Sequence, residues 1–133
     1  MIFIDANIPM YLVGAAHPNK VAAQVQVSAL AASGERLVTD AEVLQEFLHR
    51  FSAIRRLEAI ADTLALTLAI VDEVFSVTRN DVLRAAEVLQ SPSGLSARDA
   101  LHIAVMERHG IRQILTFDAA FDRWPGLVRV PLG

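Results

Sequence analysis

The chain has no cysteine, a single lysine (Lys20) and no long apolar run. Without cysteine there is no disulfide framework and no thiolate metal site, so a metal would have to be held by oxygen or imidazole nitrogen. Apolar runs stay short of the roughly 18 residues that suggest a membrane helix. The opening Met-Ile-Phe-Ile-Asp5 has no basic stretch and meets a carboxylate at once, unlike a signal peptide; a soluble, cytoplasmic protein is the expectation. GxSxG, P-loop and GxGxxG motifs are absent. The four histidines, His17, His49, His102 and His109, include no pair at the spacing of a helical zinc site.

What is present suits a globular protein: 133 residues, 53% hydrophobic and 20% charged, enough for one domain over residues 1–133 with one core. The net charge of −3, from 12 bases against 15 acids, argues at first sight against a nucleic-acid partner. Distribution matters more than the sum. If four acids gather at one site, 11 remain against 12 bases, and all of those bases but Lys20 are arginines, whose planar fork suits phosphate. The composition therefore permits an acidic cleft with a basic rim.

Short apolar strands are predicted at 2–4, 37–38, 74–77, 113–116 and 128–130. Helices are predicted at 7–13, 18–33, 39–51, 54–67, 78–90 and 96–109, with a helical turn at 119–123. There is no internal repeat. Strands alternating with helices predict an α/β fold with a mostly parallel sheet and helices on both faces. Sites in such sheets lie beyond the carboxyl ends of the strands.

Several acids fall where such a site would be. Asp5 ends the first strand and Asp118 follows the buried-looking Ile114-Leu115-Thr116, so a parallel sheet brings both out at one edge. Alone, each also reads as a turn or capping residue. Paired carboxylates repel unless a cation or proton lies between them, and oxygen ligands suit Mg²⁺ or Mn²⁺. Asp99 lies in the first turn of a helix after Ser96, a capping pattern that is also compatible with a place at the cleft. The third helix offers Glu42 and Glu46. Thr39-Asp-Ala-Glu42 looks like a capping box with Glu42 facing solvent, whereas Glu46 flanks the apolar stripe and can reach a cleft. Asp122 is either a fifth cleft acid or an exposed turn residue. Asn7 and Thr116 stand beside the strand-end acids. His102, three residues after Asp99, either approaches the cleft or is packed and hydrogen-bonded.

In this order the residues resemble the PIN domain, specifically the VapC-type toxins of toxin–antitoxin pairs. Ile-Phe-Ile-Asp5-Ala-Asn7 looks like the family's first motif, and Thr39-Asp-Ala-Glu-Val-Leu-Gln-Glu46-Phe like its second. Leu95-Ser-Ala-Arg-Asp99-Ala-Leu-His is similar to the third, and Ile114-Leu-Thr116-Phe-Asp118-Ala-Ala-Phe121 to the fourth. The resemblance spans the whole chain. It implies a PIN-like three-layer fold, a mostly parallel sheet of about five strands flanked by helices. It also implies one or two Mg²⁺ or Mn²⁺ ions on Asp5, Asp99 and Asp118, with Glu46 binding a second ion or orienting water, and Thr116 and Asn7 supporting the ligands. Hydrolysis of RNA to a 5′-phosphate and a 3′-hydroxyl is implied, as are a homodimer and a small VapB-like antitoxin laid across the cleft. Arg55, Arg56, Arg79, Arg98 and Arg123 are candidates for flanking phosphates. Competing readings are a non-toxin or catalytically silent PIN domain that only binds RNA or protein, and a phospho-accepting receiver domain. The latter needs a late-strand lysine that this chain lacks.

Overall fold

The computed structural model describes residues 1–133. At its centre is β1 (Ile2–Ile4), whose three consecutive apolar residues are all buried because both faces of the sheet are covered. Around it are β2 (Leu37–Asp40), β3 (Glu73–Phe75), β4 (Gln113–Leu115) and β5 (Val128–Arg129). They form one sheet in the order β3-β2-β1-β4-β5, and every adjacent pair is parallel. The "mostly parallel" expectation thus becomes wholly parallel.

The six helices are α1 (Asn7–Val13), α2 (Pro18–Ala32), α3 (Ala41–Ala53), α4 (Glu58–Ile70), α5 (Arg79–Gln90) and α6 (Ala97–Arg108), followed by a 3₁₀ turn at Ala119–Arg123. None is long and apolar enough to cross a membrane. The pleat sorts the core. Phe3, Val38 and Ile114 are in register and face α3, α5 and α6, packing with Phe47, Ala85 and Ile103. Ile2, Ile4, Leu37 and Leu115 point to the other face, where Ile8 and Ala23 cover them from α1 and α2.

Several boundaries differ from the sequence expectation, three of them as follows. Thr39 was expected to open α3; instead it extends β2, where a β-branched residue fits, and its hydroxyl donates to the Ile4 carbonyl at 2.8 Å. Asp40 is the cap, accepting from the Val43 N–H at 2.9 Å, so the expected box between Thr39 and Glu42 is not formed. Next, α4 starts at Glu58 rather than near Ile54, because α3 is capped at Ile54 and Arg55 takes φ 56°, which no helix continues. Finally, β3 ends at Phe75, before the predicted Val77.

Helices α5 and α6 begin alike. Thr78 accepts from the Asp81 N–H at 3.2 Å, and Ser96 from the Asp99 N–H at 3.2 Å. Asp81 completes a capping box through the Thr78 N–H at 2.8 Å. It also takes a two-pronged bond from Arg108, with Nε at 2.8 Å and Nη2 at 2.9 Å, tying the end of α6 to the start of α5. The chain winds from β1 out to β3, then returns through α6 to β4 on the other side of β1. That reversal opens a crevice at the carboxyl ends of β1 and β4.

Candidate active site

Asp5 leaves β1 directly into this crevice and is 6% exposed. Its orientation is fixed from several sides. Oδ1 accepts the Ala6 N–H at 2.8 Å, while Oδ2 accepts the Thr116 hydroxyl at 2.7 Å and the Asn7 amide at 3.4 Å. Thr116, fully buried beyond the end of β4, also accepts from the Asn7 amide and the Asp118 N–H, both at 3.0 Å. One hydroxyl thereby uses its donor and both lone pairs to lock the exits of β1 and β4 together.

Asp118 is exposed and caps the 3₁₀ turn through the Ala120 N–H at 2.9 Å. Asp99 reaches in from the first turn of α6 and is half-buried. Its carboxyl is pushed up to about 6, first by burial and then by the charges of Asp5 and Asp118. Glu46 arrives from α3 with 12% of its side chain exposed. Burial raises its pKa, and contact with His102 offsets only part of that rise.

Together Asp5, Glu46, Asp99, Asp118 and the half-buried Arg98 line an open cleft of about 440 Å³. All four acids assigned to the site from the sequence line it, and so does Asn7. Glu42 and Asp122 do not. Glu42, expected to face solvent, is half-buried with Arg98 at 3.8 Å, and Asp122 is exposed and paired with Arg129 at 2.9 Å. Among the arginines considered for phosphate, Arg98 is at the cleft, while Arg56 is paired with Glu58. Another hollow of about 500 Å³ between Met106, Ile111 and Trp124 gathers no such cluster. Its one acid, Glu107, is paired with Arg84 at 2.9 Å.

Two residues of the site were not assigned a place in it from the sequence. His102 is the packed, hydrogen-bonded histidine that the sequence favours: it does not line the cleft but lies behind it, against Glu46. It is fully buried, with Nδ1 at 2.8 Å from Asp40 Oδ2, Nε2 at 2.8 Å from Glu46 Oε1 and at 4.0 Å from Asp5 Oδ1. Burial pulls its pKa down, but Asp40, Glu46 and Asp5 outweigh that and hold it well above the usual histidine value. Asp40 is itself fully buried. The local signal was an acid at the end of β2 and a histidine one turn after Asp99; the contact across 62 residues lies beyond periodicity.

The donor set fits a hard divalent cation. The acids offer oxygen ligands, and donor atoms of Asp5, Glu46 and His102 lie within 4.8 Å of one another. Burial, and after it the charges of Asp5 and Asp118, raise the Asp99 carboxyl, and a cation among these acids would relieve that repulsion. Arg98, whose Nε is 3.4 Å from Glu46 Oε1, offsets part of it.

Comparison with known proteins identifies the family. The PIN domain model matches residues 2–127. Ribonuclease VapC13 of Mycobacterium tuberculosis is 52% identical over 130 residues, covering 98% of this chain and 99% of that protein. Ribonuclease VapC23 of the same species is 37% identical over 118 residues, covering 89% and 93%. Among solved structures, M. tuberculosis VapC20, described as a sarcin-ricin loop cleaving toxin, superposes with a TM-score of 0.73 at 27% identity over 90% of this chain and 91% of that one. VapBC2 of Rickettsia felis, solved bound to a DNA fragment from its promoter, gives a TM-score of 0.73 at 18% identity over 98% of each chain, a likeness of fold. With its sheet order, strand-end acids and relatives in accord, the chain belongs to the PIN-domain family, on its VapC branch.

Proposed function

We propose that residues 1–133 form one PIN domain that hydrolyses RNA phosphodiester bonds internally, and that it is the toxin of a VapBC-type pair acting in the cytoplasm. The observation that carries the chemistry is the convergence of Asp5, Asp99 and Asp118, from three separate elements, on one cleft, where burial and the charges of Asp5 and Asp118 push the Asp99 carboxyl up to about 6. VapC13 and VapC23 carry the name ribonuclease, which supports RNA as the substrate class.

Asp5, Asp99 and Asp118 would hold Mg²⁺ or Mn²⁺, with Glu46 at the cleft wall binding a second ion or orienting the attacking water. When bound, such an ion neutralises the scissile phosphate, acidifies water and stabilises the leaving oxygen. The remaining work falls to the chain. Thr116, Asn7 and the Ala6 N–H aim both Asp5 oxygens. Glu46, with its raised pKa, is matched to accepting a proton from the attacking water. Arg98 at the wall offers its guanidinium to a non-bridging phosphate oxygen, a contact that positions the strand without reading bases. In-line attack leaves a 5′-phosphate and a 3′-hydroxyl. A small VapB-like antitoxin covering the cleft, and a homodimer, complete the reading.

The test compares purified wild type and Asp5→Asn on total RNA with Mg²⁺, Mn²⁺ or EDTA. Wild type should cut only with metal, and Asp5→Asn should lose at least about a hundredfold in rate. Equal cutting by the two proteins would place the activity elsewhere.

A further inference from the structure

A buried histidine between two carboxylates is costly to assemble, and here the arrangement has a direction. Asp40 closes β2, caps α3 through Oδ1 on the Val43 N–H, and offers Oδ2 to His102 Nδ1 at 2.8 Å. The other ring nitrogen meets Glu46 Oε1 at 2.8 Å. Both nitrogens face carboxylate oxygens, so the bonds are satisfied with an N–H at each. Phe3 packs against the ring, with centroids 5.2 Å apart. Glu46 is therefore anchored through Oε1, which also has Arg98 Nε at 3.4 Å, while Oε2 has no protein hydrogen bond. A glutamate on an exposed helix flank samples several rotamers; this one has a single oxygen pinned and the other left available.

Resting on the nuclease reading above, we infer that Asp40 and His102 are positioning residues: a buried line, Asp40–His102–Glu46, that sets the working geometry of Glu46 in the cleft. Neither residue touches the substrate. His102 acts through Glu46, and Asp40 through His102. Asp40 adds rigidity, because the oxygen that caps α3 and the one that holds the ring belong to a single carboxylate on the strand end.

The substitutions separate positioning from packing. Asn at position 102 can place its amide nitrogen near that of Nδ1, keeping Asp40 and losing Glu46. Gln can reach near Nε2, keeping Glu46. Asp40→Asn retains a capping oxygen for α3 but weakens the hold on the ring. On the full-length purified protein, the measurements are RNA cleavage as kcat and KM, Mn²⁺ affinity by electron paramagnetic resonance, and Tm in EDTA. His102→Asn should lower kcat about 10–100-fold and weaken Mn²⁺ by a similar or smaller factor, with KM for RNA little changed. His102→Gln should recover most of the loss, and Asp40→Asn should fall between them. If His102→Asn does not fold, the order wild type, His102→Gln, Asp40→Asn carries the same comparison. Equal kcat and Mn²⁺ affinity across the variants, with only Tm falling, would overturn the inference and leave the nuclease intact. A nitrogen hyperfine coupling to Mn²⁺ that disappears in His102→Gln would make His102 a ligand and overturn it as well. Failure of wild type to bind Mn²⁺ or cut RNA would remove the nuclease reading and this inference together.

Discussion

Asp81 and Asp99 begin from the same local sequence logic and end in opposite electrostatic states. Each is the third residue of a helix, each follows a hydroxyl cap, and each gives its N–H to that cap at 3.2 Å. Asp81 is 2% exposed but meets Arg108 across two short bonds. Burial alone would raise its pKa, yet Arg108 and Thr78 hold it below the ordinary carboxylate value. Asp99, half-buried at the cleft, has no guanidinium to offset its burial and faces Asp5 and Asp118, so burial first and those charges next raise its pKa to about 6. A capping motif thus fixes where an acid stands on its helix. What stands opposite decides whether the acid holds the fold together or keeps charge available for a ligand.

The largest expected separation is in activity. Asp99→Asn should lower RNA cleavage at least about a hundredfold, whereas Asp81→Asn should leave kcat per folded molecule within about twofold. Comparable losses in both would mean that Asp99 matters to activity only as a helix residue. Stability should separate in the other direction. Asp81→Asn leaves Arg108 without its carboxylate and should cost about 2 kcal/mol, or roughly 6–10 °C in Tm. In EDTA, Asp99→Asn removes a crowded charge and should stabilise the fold by about 1 kcal/mol, a figure discounted for solvent screening of a half-buried group. Saturating Mg²⁺ should reduce or reverse that gain, because wild type alone gains the full binding energy.

Much of this contrast is legible in the sequence, but not its decisive half. Thr78 announces a helix start and Ser96-Ala-Arg-Asp99 a cap because both signals are local, and strand alternation with helices announces a parallel sheet that gathers Asp5 and Asp118 at one edge. Glu46 was favoured over Glu42 from helix geometry, and Glu46 is the one that lines the cleft. The partner of Asp81 lies 27 residues away on another helix, and the His102 bond to Asp40 spans 62 residues. Neither separation leaves a periodic trace. The displaced start of α3 has the same origin: Thr39 satisfies a local box pattern, but the Ile4 carbonyl on the neighbouring strand competes for its hydroxyl and wins.

A pH titration in EDTA sharpens the comparison further, because the two acids predict opposite slopes. The Asp99 pKa is raised on folding, so the native state binds the extra proton between about pH 4 and 6; stability from this residue is present at low pH and lost as pH rises through about 6. The Asp81 pKa is lowered, so its contribution is present above the ordinary carboxylate value and lost as pH falls through its native one. The stability difference between wild type and Asp99→Asn should therefore vanish at low pH and reach its full size above about 6. The difference for Asp81→Asn should be constant at neutral pH and shrink only in acid. Mn²⁺ affinity should weaken below about pH 6, as the proton competes for Asp99. Parallel slopes for the two variants would mean that the neighbours identified here do not set their charge.

The smallest effect belongs to Asp122, which tests where the cleft ends. It follows Asp118 by one turn and could have been a fifth site acid, but it is exposed, paired with Arg129 at 2.9 Å and 3.0 Å, and absent from the cleft lining. Exposed pairs of this kind are screened by solvent and contribute little. Asp122→Asn should leave RNA cleavage within about twofold and Mn²⁺ affinity unchanged, with no resolvable shift in Tm. A loss on the scale of Asp99→Asn would mean that the 3₁₀ turn rearranges when the site is loaded, and that the acids at work extend past Asp118. A null result would leave Asp122 outside the working acids: unlike the buried Asp81, it holds its arginine at the surface, where such a pair adds little.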